Sequence, residues 1–353
     1  MSLDQLLARL AAVEPAPVPF VSLYLNAQPD QHGRPHHEAY VRKELAARAE
    51  RYPARSRERE SLERDAELIR TYLGQALRPA ANGVALFACA SANEFFEAVQ
   101  LDAPVEEHQL FVSSLPHVYP LARLHDQYRR FTVLLADSHT ARLFVFETGT
   151  RIEQRNLTHS KVRRSAGGGS AQGRYQRHVE HEQLHRAKAA VDLLKPLKEQ
   201  RSDPIVLAGD EVMVPVIRDQ LPKHLAERVA AILPLDIRTP EAEILRAGLD
   251  AVRAWDARED VERVTRLRDA LGGHGLGVAG IKPTRAALDR GQVQELILSA
   301  VANSVPGEPG EAEGIADGLV RAALKHSARL TFIEDGALLA DVEGVGAFLR
   351  YAA

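Results

Sequence analysis

The chain has 353 residues, 45% of them hydrophobic, 26% charged and 5% aromatic, with a formal net charge of −3 at pH 7. That length predicts two or three globular domains, each large enough for a core of its own. The slightly acidic total excludes a protein that is basic throughout, so any nucleic-acid contact has to be local.

Residues 1–5 carry neither a basic n-region nor an apolar h-region, so no secretory signal is expected. No run approaches 18 apolar residues, so neither a membrane span nor a membrane partner is expected. Residues 3–13 read as a short amphipathic helix ended by Pro15, Pro17 and Pro19, and residues 20–25 as a strand. A polar loop with His32, His36 and His37 follows, without the Cys or carboxylate spacing of a metal site. Residues 38–73 predict a highly charged helical stretch broken at Pro53, and residues 84–90 a strand. The single cysteine, Cys89, lies in that apolar run and reads as a buried strand residue of a cytoplasmic protein rather than a nucleophile. Residues 106–121 predict one or two further strands around Pro116 and Pro120.

A new unit is expected near Arg130. Residues 131–136 and 141–146 predict two strands joined by the turn Asp137-Ser138-His139-Thr140, and residues 151–157 a third. A glycine loop, a basic helix from Tyr175 to about Lys195 and an apolar strand at 204–209 come next. Helical patterns follow at 210–221, 225–232 and 239–271. After a glycine-rich boundary at 271–277, helices are expected at 284–290 and 315–326 and strands at 293–298, 329–334 and 345–351. Strands alternating with helices make the fold class α/β and multidomain, with domains at 1–128, 129–271 and 272–353.

The charge is concentrated in one place. Residues 151–201 hold twelve Arg and Lys against five Asp and Glu, a net of +7, so the remainder sums to −10. Such a reversal is the electrostatic footprint of a phosphate-rich partner. The loop 161–174 contains Gly167, Gly168, Gly169 and Gly173 and nothing apolar larger than alanine after Val162, so it has no packing role. Lys161, Arg163, Arg164, Arg174 and Arg177 would hold RNA phosphates, Tyr175 could stack on a base, and His178, His181, His185, Arg186 and Lys188 extend the basic surface along the helix. The amide of Gln172, carried beside Gly167–Gly169, could position a water or stabilise an oxyanion in a narrow RNA-lined site. A competing pattern, His181-Glu182-Gln183-Leu184-His185, formally matches the H-E-x-x-H of zinc hydrolases. The residues after it, Arg186-Ala187-Lys188, lack the extended motif, and the helix reads as basic and polar nearly all round, so no metal and no cofactor is expected.

With these residues in view, the chain resembles the bacterial branch of the archaeo-eukaryotic peptide chain release factor and Pelota family, which includes Balon-type ribosome hibernation factors. Residues 20–25 resemble the opening strand of bacterial members. The basic loop followed by Arg174-Tyr175-Gln176-Arg177-His178 resembles the middle domain that carries the family's Gly-Gly-Gln loop. Residues 332–335 and 345–351 are similar to the end of the last domain. The resemblance implies a cytoplasmic tRNA mimic that binds the ribosomal A site through rRNA. It further implies an N-terminal α/β domain, an RNase H-like middle domain and an L7Ae-like α/β sandwich at the C-terminus. It implies release or rescue by hydrolysis of the peptidyl-tRNA ester with Gln172 as catalytic residue, peptidyl-tRNA as partner, and delivery by a GTPase of the elongation factor Tu type. The alternative on the same scaffold is a hibernation factor without catalysis. Here the loop reads Gly168-Gly169-Ser170-Ala171-Gln172, with glutamine displaced by two residues, and no Asn-Ile-Lys-Ser codon-reading motif is present.

Overall fold

The computed structural model describes residues 2–29, 37–91, 94–158, 172–197, 203–271, 275–301 and 311–351. The chain divides into two compact units, one formed by Met1–Gln127 with Glu259–Ala353, the other by Tyr128–Arg258.

The first unit opens with helix α1 (Leu3–Ala11), started by a capping box in which Ser2 and Gln5 bond each other's backbone N–H. Strands β1 (Phe20–Asn26), β2 (Gly83–Cys89), β3 (Phe95–Leu101) and β4 (Gln109–Ser113) form an antiparallel sheet in the order β3-β2-β1-β4. The two central strands are buried on both faces, which explains their unbroken apolar runs. Helices α2 (His37–Ala49) and α3 (Arg57–Gln75, capped by Ser56) cover one face through Val41, Leu45, Leu62 and Ile69 against Val21, Leu23, Leu25 and Leu86. Cys89 is buried, as read from its surroundings. Two readings change here. β3 was missed because its half-buried residues Phe95-Phe96-Glu97-Ala98 do not alternate. The stretch after Pro116 is helix α4 (Tyr119–Gln127), because Pro120 falls in its first turn, where proline is tolerated.

The second unit is built on strands β5 (Phe131–Ala136), β6 (Thr140–Glu147), β7 (Thr150–Thr158), β8 (Ile205–Gly209) and β9 (Val229–Leu233). Their order is β7-β6-β5-β8-β9, with β6 antiparallel to both neighbours and β8 parallel to β5 and β9. A first-to-third meander flanked by two parallel strands is the RNase H-like order. Leu134 and Ala136 of β5 face helices α5 (Gln172–Asp192) and α6 (Met213–Gln220), while Phe131, Val133 and Leu135 face helix α8 (Glu241–Ala270). This period of two divides one strand between two cores. Gly248 of α8 lies so close to β5 that a Cβ there would stand 2.6 Å from the Phe131 ring. The helix expected at 225–232 is instead a short turn of helix, α7 (Lys223–Ala226), followed by β9. Parallel pairing with β8 overrides the helical propensity of its two alanines.

The remaining part of the first unit holds β10 (Gly277–Ala279), helix α9 (Ile281–Asp289), β11 (Val293–Ser299), helix α10 (Glu311–Lys325), β12 (Arg329–Ile333) and β13 (Val345–Leu349). The sheet runs β10-β13-β11-β12, with only the β11–β12 pair parallel. Val264 and Leu267 of α8 pack with Ile297, Ile333 and Leu339. Buried Asp317 of α10 accepts from Val118 N at 2.6 Å and Tyr119 N at 2.9 Å. Arg321, one turn on, donates to the carbonyls of Leu10, Ala11, Val13 and Pro116 at 2.9–3.2 Å.

Candidate functional site

Helix α5 begins at Gln172, three residues before the expected start, so Gln172 and Arg174 are helical residues rather than loop residues. Glutamine and arginine are good helix formers, and Gly173 is the lone weak one in that turn. Tyr175, Arg177 and His178 lie further along the same helix. Lys161, Arg163, Arg164, Gly167, Gly168 and Gly169 lie outside the described residues.

From Glu180 onward the helix has two distinct faces. Ala187, Ala190 and Val191, with Leu194 just beyond, are buried against β5, β6, β8 and α6. His181, His185, Lys188 and Asp192 recur at three- and four-residue spacing and are all exposed. The expectation of a helix polar nearly all round is therefore corrected for its C-terminal half. The inward residues are mostly alanines, too small to register as an apolar stripe in sequence, yet small enough for the helix to lie close to the sheet.

Arg186 differs from His181, His185 and Lys188. Its side chain is only 15% exposed, and Nη1 donates to the Ser138 carbonyl at 2.6 Å while Nη2 lies 3.4 Å from Glu182. This guanidinium ties the helix to the β5–β6 turn. In that turn, Asp137 Oδ1 accepts from His139 N at 2.7 Å and Thr140 N at 2.6 Å, an Asx turn. Opposite it, Asp210 Oδ1 accepts from Met213 N at 2.6 Å at the start of α6, and Ser138 Oγ reaches Asp210 Oδ2 at 3.5 Å. Gly209 makes this junction feasible: its φ is +143°, and a Cβ would fall 1.8 Å from the Ala136 carbonyl oxygen.

Sequence reading noted the Asp137–Thr140 turn but not its partners Gly209 and Asp210. The signal was a Gly-Asp pair directly after an apolar strand, which marks the carboxyl end of a parallel strand in an α/β sheet. Asp137 and Asp210 are occupied with backbone N–H groups. Among the described residues no group of three or more His, Cys, Asp or Glu converges as metal ligands. In the H-E-x-x-H segment the two histidines do share an exposed face, while Glu182 lies beside the Arg186 guanidinium, an arrangement unlike a general base poised over a metal-bound water. Among the described residues no helix is long and apolar enough to cross a membrane.

Residues 116–253 match the family model described as bacterial archaeo-eukaryotic release factor family 10, a span that takes in most of the second unit. The resemblance read from the basic helix and its preceding hairpin is thus borne out over this stretch. No curated protein matches the chain. Among solved structures it is similar to the archaeal translation termination factor aRF1, at 16% identity and a TM-score of 0.28, over 99% of this chain and 98% of that one. It is also similar to archaeal Pelota in a ribosome-bound model with ABCE1, at 14% identity and 0.44, over 100% and 95%. A third is S. cerevisiae Dom34, a termination-like factor interacting with Hbs1, at 8% identity and 0.43, over 100% and 94%.

Proposed function

We propose, from the release-factor-family segment at residues 116–253, that the chain is a translation factor of the release-factor/Pelota type that occupies the ribosomal A site. The observation that carries the reading is the outer stripe of α5. His181, His185 and Lys188 face solvent on a helix whose other side is anchored in a core. Such a helix presents a rigid donor surface to an RNA backbone, and the basic residues 161–177 would extend it. In this reading residues 1–128, 129–271 and 272–353 are the three domains of a tRNA mimic, the last of L7Ae type. The partners are A-site rRNA and peptidyl-tRNA in the cytoplasm, with delivery by a GTPase of the elongation factor Tu type.

Two activities are compatible with this scaffold. Release would use the Gln172 amide against the peptidyl-tRNA ester, positioning water and the developing oxyanion. Occupancy without release is favoured by the Ser170-Ala171 insertion between the glycines and Gln172. The glutamine is displaced by two residues from Gly168-Gly169, and a misplacement of about 1 Å already costs about a hundredfold in rate. The test adds purified protein to ribosomes with peptidyl-tRNA and an empty A site, and follows co-sedimentation and peptide release for wild type and Gln172→Ala. Release lost with Gln172 supports rescue, and tight binding without release supports hibernation. Binding should weaken steeply with salt, by a slope of about −0.7 to −0.9 per phosphate contacted. A wild-type protein that does not co-sediment at low salt refutes the A-site reading altogether.

A further inference from the structure

A cavity of about 310 Å3 opens in the first unit beside β4 and α4, far in sequence from the basic helix. That volume is at the small end of the range for ligand pockets, about 300–1,000 Å3. Its lining includes the aromatic residues Tyr24, Phe111, His117 and Tyr119. These rings are held in place. Tyr24 donates its hydroxyl to the His117 carbonyl at 2.6 Å, and Tyr119 donates to the Ser299 carbonyl at 3.0 Å. Phe111 stacks on the His117 ring at 3.7 Å between centroids. Burial pushes the Tyr119 phenol up to about 12, so this wall stays neutral through the physiological range. With its hydroxyl committed to a backbone carbonyl, the half-buried Tyr119 offers the pocket chiefly its ring, while Tyr24, 1% exposed, lies behind it.

The rim carries the opposite chemistry. Glu106 and Glu107 line the mouth, both exposed, and neither has an ion-pair partner among the described residues. The cation at the rim, Arg123, is already paired, with Nη2 3.2 Å from Glu334. The acidic loop is also fixed from behind. Gly83 of β2 would place a Cβ 2.8 Å from Val105 Cγ2 and 2.9 Å from the Ala103 carbonyl oxygen, so glycine there lets residues 103–105 lie directly against the sheet. Asn82 Nδ2 holds the Asp102 carbonyl at 2.6 Å.

Half-buried Phe111 and Tyr119 beside two adjacent exposed carboxylates favour a cation, and a planar one best. A guanidinium can stack on an aromatic face while its N–H fork bridges carboxylate oxygens. A phosphate-bearing ligand such as a nucleotide is disfavoured by the same two carboxylates. We propose that this pocket binds a guanidinium group, stacked on the aromatic wall and hydrogen-bonded by Glu106 and Glu107. The group is supplied either by a free alkylguanidine or by an arginine side chain of a protein partner. This assignment is independent of the ribosome reading, because it concerns the other unit and is measured without ribosomes.

The test titrates the full chain, by calorimetry, with four probes. They are agmatine, the peptide acetyl-Gly-Arg-Gly-amide, the same peptide with neutral citrulline in place of arginine, and adenosine monophosphate. Saturable binding of agmatine or the arginine peptide, without binding of the citrulline peptide, is expected. Agmatine binding identifies the free group as sufficient, whereas binding of the peptide alone identifies a protein side chain as the source. The surface pair Glu106→Gln with Glu107→Gln does not touch the core, so it tests the rim in a folded protein. It should lower the affinity about tenfold or more, as expected when partly desolvated cation contacts are lost. Equal binding of the citrulline peptide, preferential binding of the nucleotide, unaltered affinity in the double variant, or no saturable binding of either guanidinium probe overturns the proposal.

Discussion

Asp65 of α3 is fully buried, and its two carboxylate oxygens fare differently. Oδ1 accepts from Ala90 N at 2.7 Å, while Oδ2 has no hydrogen-bond partner among the described residues. Burial therefore raises its pKa to about 7, outweighing that hydrogen bond and the nearby Arg64 charge. The sign of the pH effect follows. Below the ordinary carboxyl pKa both folded and unfolded chains hold the proton, and Asp65 costs nothing. As pH rises towards 7 the unfolded chain releases the proton first, so the folded state loses ground, by roughly 4 kcal/mol at most. Asp65→Asn keeps the acceptor for Ala90 and cannot ionise. Urea unfolding at pH 4.5 and pH 8 is expected to show wild type losing stability relative to Asp65→Asn at the higher pH. A stability difference that is the same at both values contradicts this account.

At the scale of the element, α5 separates support from surface on a single helix. Arg186→Ala removes a charged donor from the Ser138 carbonyl and is expected to destabilise the protein by about 1.5–3 kcal/mol. Lys188→Ala, two residues away on the exposed face, is expected to change stability by less than about 0.5 kcal/mol. The order reverses in a ribosome co-sedimentation assay on folded protein, where combined His181→Ala, His185→Ala and Lys188→Ala should weaken binding most. Equal stability effects for Arg186→Ala and Lys188→Ala would show that the Ser138 contact does not matter to the fold. This division was half legible in sequence. The positive charge of the helix was plain, but which arginine was structural depended on a carbonyl 48 residues away in the chain.

Across the whole molecule, the first unit is discontinuous, and buried charge is part of what joins it. Arg321 is 6% exposed and donates to four carbonyls from α1, the segment after it, and Pro116. Burial lowers its pKa, opposed by the neighbouring Asp317, whose own pKa is raised by burial. Removing the guanidinium leaves four carbonyls without their donor and takes away a charge that favours ionised Asp317. Arg321→Met is expected to cost about 3–5 kcal/mol, read by urea unfolding of the full chain. A loss below about 1 kcal/mol would mean that water replaces the guanidinium and that this junction is not needed for stability.

The local pattern of the chain determined its α/β class, the hairpin of β5 and β6, the long helix α8, the buried strand around Cys89 and the charge reversal at residues 151–201. Each of these is written in short-range periodicity or in composition, which survive without a fold. Only tertiary structure decided that the alanine-rich stretch at 229–233 is a strand, because its backbone pairs with β8 in a sheet assembled from distant residues. The junction of Gly209 with Ala136, the anchoring role of Arg186, and the union of Glu106 and Glu107 with Tyr24 are of the same kind. In each case the partners are far apart along the chain, so no window of sequence contains both members, and close packing alone brings them within reach.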